Sequence, residues 1–290
     1  MKATLHVQIS GLGRTTANSE SLTTAADAAL WRDAAALLRE RAYVTATGAV
    51  RVRAGWNSFL DRDDDDRSIA LDVEVVDERE RPEPRDAGSF VELYFHDAFL
   101  LLNLAVPGSF GGDIATLADG HHRASEVALS ARLFEYAWAT ASLNGWPAIE
   151  PLPLADVVRW YDALQIGTQQ VATANVAKAL FLLLHLSRAE ENESASMLRL
   201  GQALEALFEG PALQAPIAAL LGDWDKLAEV MPRFLDLRDA IVHGTAPVLH
   251  PMADDALDDR VDDASIDLVN AADFASSIVV GALQAFMRYR

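Results

Sequence analysis

Arg238 and His243 lie five positions apart in the stretch LRDAIVHGTA (237–246), and Asp239 follows the arginine directly. Imidazole takes or gives a proton near neutral pH, while guanidinium keeps its charge and grips phosphate oxygens through a planar fork. Together the two groups suffice for cleavage of RNA without a metal. The imidazole would assist proton transfer at the 2′-hydroxyl or at the leaving oxygen, and the guanidinium would stabilise the charge that builds at phosphorus. Asp239 could orient either partner. Arg233, five positions before Arg238, could extend a phosphate-gripping surface, or pair with Asp236 or Glu229 on the helix exterior. The plain alternative is a histidine in the last turn of a helix, favoured there by the helix dipole, with an arginine on the surface.

The element that must position the pair is a helix over 225–244 with an internal proline, Pro232, expected to kink it or to start a new helix. Leu235, Ile241 and Val242 supply an apolar stripe, with Phe234 and Leu237 beside it, and Gly244 suits the left-handed residue that ends a helix. On an ideal helix, side chains five positions apart point ~140° away from each other. Arg238 and His243 therefore do not share a face; they could converge through a loosened last turn or across a two-fold axis with a second copy.

The rest of the chain divides in texture. Residues 1–148 mix strand and helix signals: strands over 4–10, 50–56 and 68–77, an amphipathic helix over 25–42, two strands over 89–110 meeting near His96–Asp97, and a segment at 125–141 that periodicity leaves open between strand and helix. The proline-rich stretch NGWPAIEPLPLAD (144–156) reads as a junction. The texture of residues 149–290 is helical, with helices over 154–167, 169–191, 194–210, 211–224, 225–244 and 264–290. Asn192 or Ser194 would cap the third and Gly210 end it, and a proline opens the fourth. Short links predict an antiparallel helical bundle. The fold class is thus an α+β domain (1–148) followed by an all-α bundle (149–290).

The segment FLDLRDAIVHG (234–244), preceded by LGQALEALFEG (200–210), resembles the HEPN superfamily and looks closest to its Apea-type branch of prokaryotic defence and toxin-like proteins. The likeness spans about 155–290 and leaves 1–145 unexplained. It implies a bundle of four or five helices marked by an arginine, four to six residues and a histidine, with a polar residue often after the arginine: here Arg238, Asp239 and His243. It also implies a secondary role for Glu205, a metal-independent endoribonuclease activity, and a homodimer that brings both pairs to the two-fold interface. The family includes members that only bind RNA or other partners, so a silent binding and dimerisation module is the alternative. With a nuclease, residues 1–148 would act as a sensor, a specificity domain or the seat of an inhibitor or trigger protein; with a silent module they would recognise a protein or a small ligand.

Composition narrows the field. No cysteine is present among the 290 residues, which removes disulfides, thiolate nucleophiles and cysteine-ligated zinc. The net charge of −19 repels nucleic acid at long range and favours the binding-module alternative. Acid clusters at 61–67 and 253–267 read as solvated loops; Asp63–Asp66 lack the glycine turn and spaced ligands of a calcium loop. The glycines of SGLGRTT (10–16) form a plain turn, and His121–His122 a loop without a ligand helix to complete a metal site. His185 reads as a core or interface histidine, His96 as a strand or turn residue and His250 as a loop residue. The six tryptophans show no regular spacing and belong to cores. No cofactor or metal is expected. The N-terminus lacks a secretory signal, and the most apolar run noted, 175–191, is too short and too charged at its flanks to span a bilayer, so a cytoplasmic protein is expected.

Overall fold

The computed structural model describes residues 1–11, 24–60, 68–83, 85–116, 125–167, 169–188, 193–210, 212–246 and 260–289. The chain forms two compact units. One comprises Met1–Arg132 with Glu150–Ala172, the other Leu133–Ile149 with Thr173–Arg290. The chain therefore passes between units three times, where the sequence suggested a single boundary at 148/149.

The first unit is built on a six-stranded sheet: β1 (Lys2–Ser10), β2 (Glu40–Thr45), β3 (Gly48–Ala54), β4 (Ser68–Asp77), β5 (Gly112–Thr116) and β6 (Ser125–Leu129), in the order β2-β3-β4-β1-β5-β6. Every adjacent pair is antiparallel, and β1 pairs with β4 along its whole length, from Lys2 opposite Val76 to Ser10 opposite Ser68. Leu5, Val7 and Ile9 of β1 and Ile69, Leu71, Val73 and Val75 of β4 are buried, while the residues between them face out. That alternation is the period-2 pattern of a sheet covered on one face. The open face carries cross-strand ion pairs: Lys2 and Arg53 on Glu74, Arg53 on Glu40, and Arg51 on Glu78.

Helices α1 (Thr24–Leu37), α2 (Asp86–Ala105) and α4 (Leu154–Ala163) belong to this unit, and α2 packs on β3, β4 and β6. α2 corrects the expectation of two strands over 89–110. Asp97 through Ala105 are buried without interruption, so both faces of the helix are apolar and no 3.6-residue alternation survives in the sequence. His96, expected in a strand or turn, is a half-buried residue of this helix. The predicted 25–42 helix stops at Leu37, and its last residues instead open β2. The undecided 125–141 segment is both: β6, then α3 (Arg132–Asn144). Trp31 of α1 stacks on Trp56 and Phe59 of the 3-10 turn Trp56–Phe59, and Phe110 meets Trp56 edge-on, so the four rings form one aromatic cluster.

The second unit is helical: α3 from Leu133 on, α5 (Asn175–Arg188), α6 (Glu193–Phe208), α7 (Gln214–Leu221), α8 (Leu227–Val242) and α9 (Arg260–Arg288). α6 packs against α5, α8 and α9, and α7 against α8 and α9. In α9 the twelve residues Phe274–Ala285 are all buried, which marks the unit's core. Trp146, Trp224 and Phe274 stack against one another, and the Trp146 indole N–H donates to the Leu221 and Gly222 carbonyls that end α7. Ile266–Arg288 is long and apolar enough to cross a membrane, by length and composition only, and most of its apolar stretch is buried within the protein. α5 is shorter than the predicted 169–191 helix, and α8 is one helix with Pro232 inside it. α6 ends with Glu209 in the left-handed region (φ 54°) and the Gly210 N–H bonded to the Glu205 carbonyl. Of the two cap candidates for α6, Ser194 lies inside the helix and Asn192 outside the described residues, as do Pro211 and the motifs at 12–16, 61–66, 121–122 and 250.

Candidate functional site

α8 explains where Arg238 sits. Leu227, Met231 and Phe234 are its buried residues, at the four-then-three spacing of a single helical face. Arg238 comes four positions after Phe234 and continues that face toward α6. Its side chain is accordingly only 18% exposed. The rest of the predicted apolar stripe is weaker than expected: Leu235, Leu237 and Ile241 are half-buried, and Val242 is 61% exposed.

On α6 the stem of Arg238 passes over Gly201. A Cβ placed on that glycine would stand 2.6 Å from Arg238 Cδ, so any larger residue there would displace the arginine. Beyond the notch, Arg238 Nη1 donates to Glu205 Oε1 at 2.5 Å. Gly201 and Glu205 are i and i+4 on one face of α6, the spacing that brings helix side chains together. Arg238 also folds back on its neighbour, with Nε at 3.1 Å and Nη2 at 2.9 Å from Asp239 Oδ1. Burial works against the guanidinium charge, but the hydrogen bonds from the Asp239 and Glu205 carboxylates outweigh it and hold the pKa above its ordinary value.

His243 is the C-cap of α8 and is exposed. Gly244 adopts φ 67°, its N–H donates to the Ile241 carbonyl at 3.2 Å, and the Thr245 N–H reaches back to the Ala240 carbonyl at 2.8 Å. This pair of bonds is the Schellman closure that a left-handed glycine permits. It ends the helix where the sequence placed the end.

The structure thus brings together Arg238, Asp239 and Glu205. It does not bring His243 to them: among the described residues no hydrogen bond joins Arg238 and His243, as their ~140° divergence on a helix requires. Arg233 also stands apart. It is exposed and hydrogen-bonds Asp267 of α9, with Glu229, one of the two expected partners, acting on it as a nearby charge. His185 is not a core residue but lies exposed on α5, where desolvation, Arg199 and Arg188 push its pKa below the usual imidazole value.

Two features escaped the sequence. Gly201 looked like any helix glycine, because the reason for it is an arginine on another helix. The other is a buried polar cluster in the sheet unit. Asp97 accepts hydrogen bonds from the hydroxyls of Tyr43 (3.0 Å) and Tyr161 (2.6 Å), and Arg41 lies beside it and donates to Asp162 at 2.8 Å. Burial drives the Asp97 carboxyl upward from its ordinary value, against the opposing pull of Arg41 and the two tyrosines. The available signal was an aspartate inside the apolar run LYFHDAFLLL. Among the described residues no group of three or more His, Asp or Glu side chains is arranged to hold a metal ion. Comparison with protein-family models, curated proteins and solved structures returned no match for this chain.

Proposed function

We propose that the helical unit is a HEPN-like, metal-independent endoribonuclease module that acts as a pair of copies. Arg238 would grip the scissile phosphate and stabilise the charge that builds on it. His243 would move the proton as the O2′–P bond forms and the P–O5′ bond breaks, leaving a 2′,3′-cyclic phosphate and a 5′-hydroxyl. Asp239 and Glu205 would hold the guanidinium in place, and Arg233 would sit at the edge of the RNA path. The observation that carries this reading is the preparation of Arg238: a glycine notch and two carboxylates fix a half-buried guanidinium on α6, an arrangement that surface arginines do not require. The likeness of residues 155–290 to the family adds a defence or toxin-like setting and a cytoplasmic location to the proposal.

The direct test is cleavage of transfer or messenger RNA by the purified full chain in the presence of a chelator. His243→Ala should lower the rate by about 10²–10⁴ without changing the oligomeric state. Undiminished cleavage by that variant would overturn the reading. A second reading is a silent module in which the helical unit dimerises and binds without cutting. It is favoured by the same two carboxylates, which already occupy Arg238, and by the net charge of −19. A stable dimer with no cleavage of any RNA, whose partner binding survives Arg238→Ala, would select it.

A further inference from the structure

Acid is spread unevenly along this chain. Asp and Glu make up 43 of the 290 residues, yet none occurs between Asp162 and Glu190. α5 falls wholly inside that gap. Its Lys178, His185 and Arg188 lie within ~80° of one another at ~100° per residue, and all three are exposed. Half-buried Phe181 stands in the same arc. The salt bridges of Arg233 and Arg238 belong to α8, and among the described residues none engages Lys178 or Arg188.

α6 connects this stripe to Arg238. It packs against α5, α8 and α9. Gly201 and Glu205 face α8, Gln202 is exposed, and Leu200 and Leu204 are buried. Arg199, Gln202 and Glu205 therefore step across the outer face of α6 by ~60° each. Arg199 stands on the flank away from Arg238. There it meets α5, because Arg199 and Arg188 both act on His185 as nearby charges. Cations thus lie on both flanks of α6, separated by the width of one helix, about 10–12 Å with side chains.

We propose that Lys178, His185 and Arg188 of α5, with Arg199 of α6, hold the backbone of a single-stranded RNA that crosses α6 at Gln202 to reach Arg238. The proposal rests on the endoribonuclease reading above and names the path of its substrate. A strand spans one helix width in a few nucleotides. Lys and Arg neutralise its phosphates and release their counterions, and the Phe181 ring offers a surface on which a base stacks. Elsewhere the net charge of −19 holds a polyanion off, so the acid-free face is where RNA settles. Phosphate contacts carry no base identity: this face sets how tightly the strand is held, not which bond is cut. An acidic protein segment would meet the same cations without continuing to Arg238.

The test reads binding apart from cleavage. A short fluorescent oligouridine is titrated by anisotropy, over a range of salt, into the full chain carrying His243→Ala and into the same chain with Lys178→Gln and Arg188→Gln added. The glutamines should weaken binding about tenfold and flatten the slope of log K against log salt by about 0.7 for each cation lost. Lys178→Arg with Arg188→Lys should leave both in place. With His243 intact, the glutamine pair should raise KM for RNA about tenfold and retain kcat. RNA held by these cations on a wild-type chain that cuts nothing would uphold the face and overturn the nuclease. Cleavage with KM and salt slope unchanged by the glutamines would overturn the face and leave the nuclease standing. No RNA binding at low salt would overturn both. Polyglutamate that binds more tightly than the RNA, and loses affinity with the glutamines, would reassign the face to an acidic protein.

Discussion

Arg238 Cδ occupies the space that a side chain on Gly201 would need: a Cβ there would stand 2.6 Å from it. The glycine is therefore a condition for the Arg238–Glu205 bond. Alanine at 201 is worth up to ~1 kcal/mol more than glycine in helix propensity, and evicting the arginine offsets much of that gain. A double-mutant cycle in urea separates the two effects. Glu205→Gln should destabilise the wild-type chain by about 0.5–1 kcal/mol, and should cost nothing once Gly201→Ala has displaced Arg238. An equal cost in both backgrounds would mean that the notch does not position the arginine.

The Asp97 cluster predicts a pH dependence of fixed sign. Burial raises the Asp97 carboxyl above its unfolded value, with Arg41, Tyr161 and Tyr43 pulling the other way. A carboxyl raised on folding contributes stability that is fully present below the unfolded value, ~4, and is lost as the pH rises through the folded one. The Asp97→Asn variant has no such titration. The stability of wild type minus that of the variant should therefore fall as the pH is raised from ~4 toward neutrality, measured by urea unfolding at each pH. A difference that grows with pH would show that Arg41 outweighs burial.

Gly244 predicts the strength of the closure that sets His243. Its φ of 67° lies where residues with a Cβ are strained. Gly244→Ala should cost about 1 kcal/mol, and Gly244→Asn less, because asparagine tolerates the left-handed region. Equal costs for the two would mean that the turn is not held left-handed in solution.

How much of this was legible depended on where the reason for each residue lay. β1 and β4 could be read because one face is dry and the other wet, so burial wrote alternation into the sequence. α2 could not, because Asp97–Ala105 is buried all round and a helix without a wet face has no period. β2 was absorbed into the preceding helix because its six residues follow α1 closely and include good helix formers, Glu40, Arg41 and Ala42. At the site, Arg238, Asp239, His243 and Gly244 are neighbours, and local spacing named them and the end of their helix. Gly201 and the cluster of Arg41, Tyr43, Asp97 and Tyr161 depend on partners tens of residues away, and no local pattern encodes such a meeting.

The divergence of Arg238 and His243 makes the proposed nuclease testable by mixing. If an active site takes its arginine from one copy and its histidine from the other, a two-fold dimer has two composite sites. Arg238→Ala and His243→Ala chains are then each inactive alone. In a heterodimer of the two, one site holds both lesions, while the other joins the intact Arg238 of one chain to the intact His243 of the other. Random exchange makes half the dimers mixed, each with one working site of two, so the mixture should recover about a quarter of wild-type cleavage. Sites formed within a single chain would recover none, because every site would then carry one lesion. Cleavage measured after denaturing and refolding the two variants together, against each refolded alone, decides between these outcomes.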